Sequence, residues 1–247
     1  MNVTVSSPEQ RRNSWRLRER LLRRIHQRWQ TITSELCFGQ AVVQFTRIAD
    51  PNRVLDDAVA EEDRRHRDGQ PPLYETPHLP YWAELWDSAG GLAQILARRP
   101  RAPGIRVLDL GCGMGLCGAV AAALGAKVLL VDLEPYALLF ARLNTVPFAA
   151  RAHVRRLDWR HDRLDERFDL ILGADIVYER GQWEFLCEFF RAHLAQDGRV
   201  LLAEPGRQSG EAFVPWISRR GWRLSEETVP VATRPQAIRI LQLDNMM

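Results

Sequence analysis

The chain has 247 residues, 46% of them hydrophobic and 26% charged, which fits one large α/β domain with an added N-terminal segment. No apolar run approaches the roughly 18 residues of a membrane helix, and the polar, Arg-rich start shows no secretory signal. The net charge of +3 names no partner, and four cysteines (Cys37, Cys112, Cys117, Cys187) without C-x-x-C spacing point to a reduced, cytoplasmic protein without structural metal.

Residues 9–37 read as one helix. Trp15, Leu22, Ile25, Trp29, Ile32 and Leu36 recur at three- and four-residue steps, and a stripe with two tryptophans is expected to bury against the rest of the chain. Arg11, Arg12, Arg16, Arg18, Arg20, Arg23, Arg24 and Arg28 crowd the same segment against only Glu9 and Glu19. Such a run can bind nucleic acid or an acidic protein face, or it can be a solvated helix face. Lys127 is the only lysine, so the arginine bias reflects base composition more than function. Residues 38–80 are less regular, and "EEDRRHRDGQPP" (61–72) reads as an exposed loop. The expected division is therefore a helical and irregular extension over 1–73 and a larger domain over 74–247.

From Tyr81 onward helix and strand alternate. Residues 86–99 read as a helix, "IRVLDL" (105–110) as a buried strand, and a glycine loop then leads into a helix ending near Leu124. "KVLLVD" (127–132) is a strand, and Pro135 opens the helix after it. Strands follow at 152–159, 168–175 and 199–205, with helices near 181–195 and 207–220. "GWRLSEETV" and "QAIRILQLD" form a terminal antiparallel pair. The pattern predicts a Rossmann-like, doubly wound α/β fold, with a mostly parallel seven-stranded sheet covered on both faces. Ligands of such sheets bind at the carboxyl ends of the strands, near the switch in strand order.

The glycine loop lies there. Gly113, Gly115 and Gly118 satisfy G-x-G-x-x-G between a strand and a helix, and the acidic Asp132 ends the next strand. Any adenosine ligand of such a sheet needs this loop and a ribose acid, so the motif alone does not choose between cofactors. Asp109, two residues before Gly111, decides. A pyrophosphate at the helix N-terminus would be repelled by a carboxylate aimed at it. S-Adenosylmethionine has no phosphate and carries a sulfonium and an ammonium, which the same carboxylate attracts. A nicotinamide-dependent oxidoreductase is disfavoured on this ground.

"LDLGCGMG" here resembles the first motif of the seven-strand S-adenosylmethionine-dependent methyltransferases. The resemblance implies that Asp109, Gly111 and Gly113 line the methionine side and that Asp132 holds the ribose hydroxyls. Asp158 and Trp159, after the third strand, can accept from the adenine amine and cover the ring face; a strand-end cap beside a packed indole is the bland alternative. "LPYWAELWDSAGG" places Tyr81, Trp82 and Trp86 before the first helix, and "ADIVYE" places Ala174, Asp175 and Tyr178 at the fourth strand's end. Trp-x-x-x-Trp-Asp together with Asp-x-x-Tyr resembles the family-16 branch of these enzymes. That branch includes the lysine methyltransferases of the electron-transfer flavoprotein β-subunit and of the valosin-containing protein. The likeness spans about residues 75–243 and leaves the N-terminal 70 residues without a counterpart.

Methyl transfer is an in-line displacement, and a lysine must lose its proton first. Asp175 is expected to orient the ammonium or its departing proton, with Tyr178 as channel wall or hydrogen-bonding partner. Trp86 is expected to face the cofactor's cationic end, and Ala174 to touch the cofactor. Trp82 reads equally as core, and Glu204 either contacts substrate or pairs with an arginine. The expected acceptor is a protein lysine. A small molecule is the first rival, and a cofactor-binding scaffold that docks a partner or RNA through its basic helix is the second. The Asn-Pro-Pro-Tyr signature of enzymes that methylate nucleobase amines is missing, so a nucleic acid is disfavoured as acceptor but not excluded as partner.

Overall fold

The computed structural model describes residues 7–71, 79–99 and 103–245. The boundary expected at 73/74 lies outside them. Five parallel strands make most of the larger sheet: β3 (Arg106–Leu110), β4 (Lys127–Asp132), β5 (Ala152–Arg156), β6 (Phe168–Ala174) and β7 (Leu194–Glu204). The antiparallel strands β8 (Trp222–Val229) and β9 (Ile238–Asn245) complete it in the order β5-β4-β3-β6-β7-β9-β8. The seven-stranded, doubly wound architecture is the one the sequence pattern predicts. Chain order reverses at β3, where β4 leads to one side and β6 to the other, and a crevice opens above their carboxyl ends.

Helices cover both faces because the strands are apolar on both. Leu130, Leu170 and Leu172 pack with α3 (Asp87–Arg98), α4 (Leu116–Ala123) and α5 (Pro135–Thr145) through Leu92, Val120 and Phe140. Leu108, Val131 and Ile171 pack on the opposite face with α6 (Trp183–His193) and α7 (Gln208–Ser218) through Trp183, Phe190 and Phe213. Among the described residues no helix is long and apolar enough to cross a membrane.

The N-terminal expectation needs correction. The first helix, α1 (Pro8–His26), stops eleven residues short of the predicted end. It gives way to an antiparallel hairpin, β1 (Thr31–Phe38) and β2 (Ala41–Ile48). Three consecutive β-branched residues, Thr31, Ile32 and Thr33, favour a strand over a helix. Gly39, at φ +56°, begins the two-residue turn that reverses the chain. The predicted stripe is broken accordingly. Leu21, Ile25 and Trp29 are buried at four-residue spacing, whereas Trp15 is 59% exposed and Ile32 is also exposed.

The segment read as irregular also holds a helix, α2 (Pro51–Arg67), started by Pro51 in its first turn and by Asp50, whose carboxylate accepts the Asn52 N–H at 3.1 Å. The predicted loop at 61–72 begins inside its last turns.

The hairpin is fastened to the larger sheet's helical layer by one buried side chain. Asn144 of α5 accepts the Thr46 N–H at 2.8 Å and donates to the Thr46 carbonyl at 3.0 Å. It also donates to the Met114 carbonyl in the glycine loop at 2.9 Å.

Candidate active site

Trp86, Asp109, Gly111, Gly113, Asp132, Asp158, Trp159, Ala174, Asp175 and Tyr178 all line one cavity at the β3/β4/β6 switch point. Its floor is the loop from Gly111 to Gly115. Gly113 has φ +52°, and a Cβ built there would meet nothing within 4 Å, so the loop leaves open space on that side. Gly118, in the first turn of α4, is required by a close approach. A Cβ there would lie 2.4 Å from Leu130 and 2.9 Å from an Asp109 oxygen.

Two carboxylates anchor the loop. Asp109 is 2% exposed and accepts the Gly118 N–H at 2.7 Å. Burial pushes its carboxyl up to about 7 against the pull of that N–H, and the nearby Asp132 charge adds to the rise. Asp132 accepts the Gly113 N–H at 2.8 Å and the Glu134 N–H at 2.9 Å, and burial raises it too. A buried, underneutralised acid beside an open loop is an environment that favours a cation.

At the β5 end, the Asp158 carboxylate accepts from the Arg160 side chain at 2.7 Å and from the Arg160 backbone N–H at 3.0 Å. That guanidinium holds the carboxyl below its ordinary value. The Trp159 indole N–H donates to the Gln182 side chain at 3.2 Å, and its ring packs beside Gly111. The predicted strand through 159 ends at Arg156, so both residues sit on the following loop.

The β6 end carries the other group. Asp175 is the one non-glycine among the described residues with positive φ, at +57°. Its backbone N–H donates to the Ala203 carbonyl at 2.7 Å, which holds that uncommon conformation in place. Its carboxylate oxygens are met by Arg207, Nε at 3.3 Å and Nη2 at 3.0 Å. The guanidinium carbon lies 5.4 Å from the Trp86 ring centroid, so the cation over Trp86 is one of the chain's own. The Trp86 indole N–H donates to the Tyr81 carbonyl at 2.9 Å. Tyr81 stands edge-on to Trp86 and to Tyr178, with centroids 6.2 and 5.6 Å apart. Burial and the neighbouring Glu179 push the Tyr178 hydroxyl up to about 12, so it keeps its proton at neutral pH.

The protein-family model described as lysine methyltransferase matches residues 82–219, more than half of the chain. The chain belongs to the lysine methyltransferase family.

Individual relatives agree with the family. The chain is 35% identical over 136 residues to the electron transfer flavoprotein beta subunit lysine methyltransferase of Xenopus laevis, covering 52% of this chain and 53% of that one. It is 38% identical over 130 residues to the protein N-lysine methyltransferase METTL21A of Danio rerio, covering 49% and 58%. The chain thus spans little more than half the length of these relatives. Among solved structures, a glycopeptide N-methyltransferase complexed with sinefungin superposes with a TM-score of 0.56 at 16% identity, covering 70% of this chain and 99% of that one, a likeness of fold.

Within this family frame, several cavity residues escaped the sequence reading. Phe45 reaches the cavity from the N-terminal hairpin, beside Met114 of the glycine loop. No local motif marks it, because its contact depends on a pairing between distant segments. Gln182 is placed by its bond to Trp159. Trp82 resolves as core that borders the cavity: it stacks on Tyr136 at 6.2 Å and meets Trp29 edge-on at 5.5 Å. Glu204 pairs with an arginine. One oxygen lies 3.0 Å from Arg239 and the other accepts the Gly206 and Arg207 N–H groups.

Proposed function

We propose that this chain is an S-adenosylmethionine-dependent N-methyltransferase whose acceptor is a lysine side chain of a protein. The observation that carries the reading is one cavity with acid at both ends. Asp109 sits buried under an open glycine loop, and Asp175 stands within an aromatic rim. The first fits a cationic cofactor, and the second fits an alkylammonium acceptor.

In this reading Asp132 accepts from the ribose hydroxyls, and Gly113 leaves room for the methionine portion. Trp159 covers the adenine, Ala174 and Gly111 border the cofactor, and Trp86 stands at its cationic end. Asp158 serves the adenine amine through whatever capacity Arg160 leaves it. S-Adenosylmethionine, when bound, supplies an electrophilic methyl group on sulfonium. The chain supplies alignment, which contributes most to such a displacement. Asp175 orients the acceptor nitrogen and accepts hydrogen bonds from its ammonium, which gives up one proton to solvent before its freed lone pair takes the methyl group. Tyr178, protonated at neutral pH, walls the channel or donates a hydrogen bond, and does not act as a base. The protein relatives named above favour a protein acceptor over a small molecule.

The test is methyl transfer from donor labelled in its methyl group to an extract of the source cells. After complete hydrolysis the label is expected in methylated lysine. Label confined to methylarginine, to nucleosides or to small molecules overturns the acceptor class.

A further inference from the structure

A cation already stands against two residues of the cavity's acceptor end, Asp175 and Trp86. Arg207 spans both oxygens of Asp175 and covers the face of Trp86, so the carboxylate that would receive an alkylammonium, and the ring beside it, are engaged. A carboxylate can pair with two cations only if they stand apart, because like charges close together repel. The Asp175 side chain is 7% exposed and that of Arg207 is 43% exposed. The acid is thus fixed inside while the guanidinium rests on the solvent edge, where it can turn outward without burying charge.

The backbone supports such a motion. Arg207 stands at the cap of α7 directly after Gly206, which has φ +85°, and Glu204 holds the N–H groups of both. The main chain is therefore anchored while the side chain is tethered only at its tip. The hydrogen bonds that the guanidinium donates to Asp175 raise its already high pKa, so deprotonation does not release it. A competing cation at Asp175 would release it.

We infer that Arg207 is a built-in stand-in for the acceptor's ammonium, seated between Asp175 and Trp86 and displaced when an alkylammonium acceptor binds. This rests on the reading of Asp175 as the acceptor's partner. Arg207 touches no reacting atom; it is a positioning residue that sets an entry threshold. It keeps the buried carboxylate compensated between turnovers. It also favours acceptors that arrive as cations, since a neutral group cannot replace it at the carboxylate.

The experiment uses the full chain saturated with S-adenosylhomocysteine, and n-butylammonium chloride as the probe for a lysine side chain. Binding is read from the Trp indole N–H resonances at constant ionic strength. Arg207→Ala is expected to bind the probe about tenfold more tightly than the parent, with S-adenosylhomocysteine affinity within about twofold. Arg207→Lys, which keeps a tethered cation, is expected to stay near the parent value. Equal or weaker probe binding by Arg207→Ala overturns the inference, since a merely structural arginine would give that result.

A second measurement needs only the parent and Arg207→Lys, which assigns the Arg207 Nε–H resonance by its loss. In the parent, the Arg207 Nε–H and Trp86 indole signals should move together on titration, the former toward its position in free arginine. Movement of the indole alone, or no response of either at high millimolar probe, overturns the inference even if Arg207→Ala does not fold. Failure of the parent to bind S-adenosylhomocysteine at all would instead sink the proposed function.

Discussion

Asn144→Ala removes a side chain that joins three parts of the molecule and touches no ligand in the reading above. In the parent it satisfies the Thr46 N–H, the Thr46 carbonyl and the Met114 carbonyl, with bonds of 2.8 to 3.0 Å in a buried setting. Alanine leaves one donor and two acceptors unsatisfied. At about 1–3 kcal/mol for each stranded buried group, less what an entering water recovers, the loss is about 3–5 kcal/mol. For a chain of this size that corresponds to a fall in Tm on the order of 10 °C. Met114 follows Gly113, so the slackened carbonyl also loosens the cavity floor, and S-adenosylhomocysteine affinity should fall at least about tenfold. Asn144→Asp should be no better, because a carboxylate would point lone pairs at two carbonyls. Thermal unfolding with and without S-adenosylhomocysteine, together with calorimetry, measures both effects. A Tm within about 2 °C of the parent and unchanged affinity would refute the claim that the N-terminal hairpin braces the cofactor loop.

Gly113→Val should abolish S-adenosylhomocysteine binding, since it fills the open side of the loop and strains a backbone at φ +52°; retained binding by calorimetry would show that the ligand lies elsewhere. Asp109 should make affinity for S-adenosylmethionine pH-dependent. With its carboxyl near 7 in the free chain, binding a cation below that pH must expel a proton, so affinity should fall up to about tenfold per pH unit as pH drops below 7 and level off above it. The same shift affects folding in the opposite sense. Asp109 binds its proton more tightly folded than unfolded, so its contribution to stability is fullest at acid pH and is lost as pH rises through about 7. Asp109→Asn should remove both dependences, and a parent-like pH profile in that variant would assign them to Asp132 or another group. Asp175→Asn should cut turnover by about a hundredfold or more with little change in cofactor affinity. A parallel loss of cofactor binding would move Asp175 to the cofactor's side.

The glycine loop and its acids were legible because each depends on neighbours within one strand–loop–helix unit. Asp109, Gly113 and Gly118 could be placed from spacing alone, and the strand-end rule put Asp132 and Asp175 at the same crevice. The hairpin was missed because Trp29, Ile32 and Leu36 happen to continue a helical step, and this outweighed the β-branched run at Thr31–Thr33 and the turn glycine at position 39. In the sequence Arg207 is only the third residue after Glu204, with no motif around it. Its position over Trp86 and against Asp175 joins segments 121 and 32 residues away in sequence, and no local pattern encodes such a meeting. Trp15 shows the opposite error: periodicity assigned it to a buried face, but α1 turns its Leu21–Ile25 edge inward, with Trp29 buried just past its end, and leaves Trp15 in solvent.

The order of the sheet also sets a timetable. β9 lies between β7 and β8, and its Arg239 sits opposite Glu204 in the ladder and contacts it. As the chain emerges during synthesis, the strands beneath the cofactor loop, β3, β4 and β6, can pair with one another early. β7 must wait with one edge open until β9 arrives, and β8 has nothing to pair with before then. Glu204 positions the backbone of Gly206 and Arg207, so the Asp175 end of the crevice is completed last. A nascent chain halted before residue 238 would carry the glycine loop but lack the Arg239 partner of Glu204, with an unpaired edge on β7 that invites association with other chains.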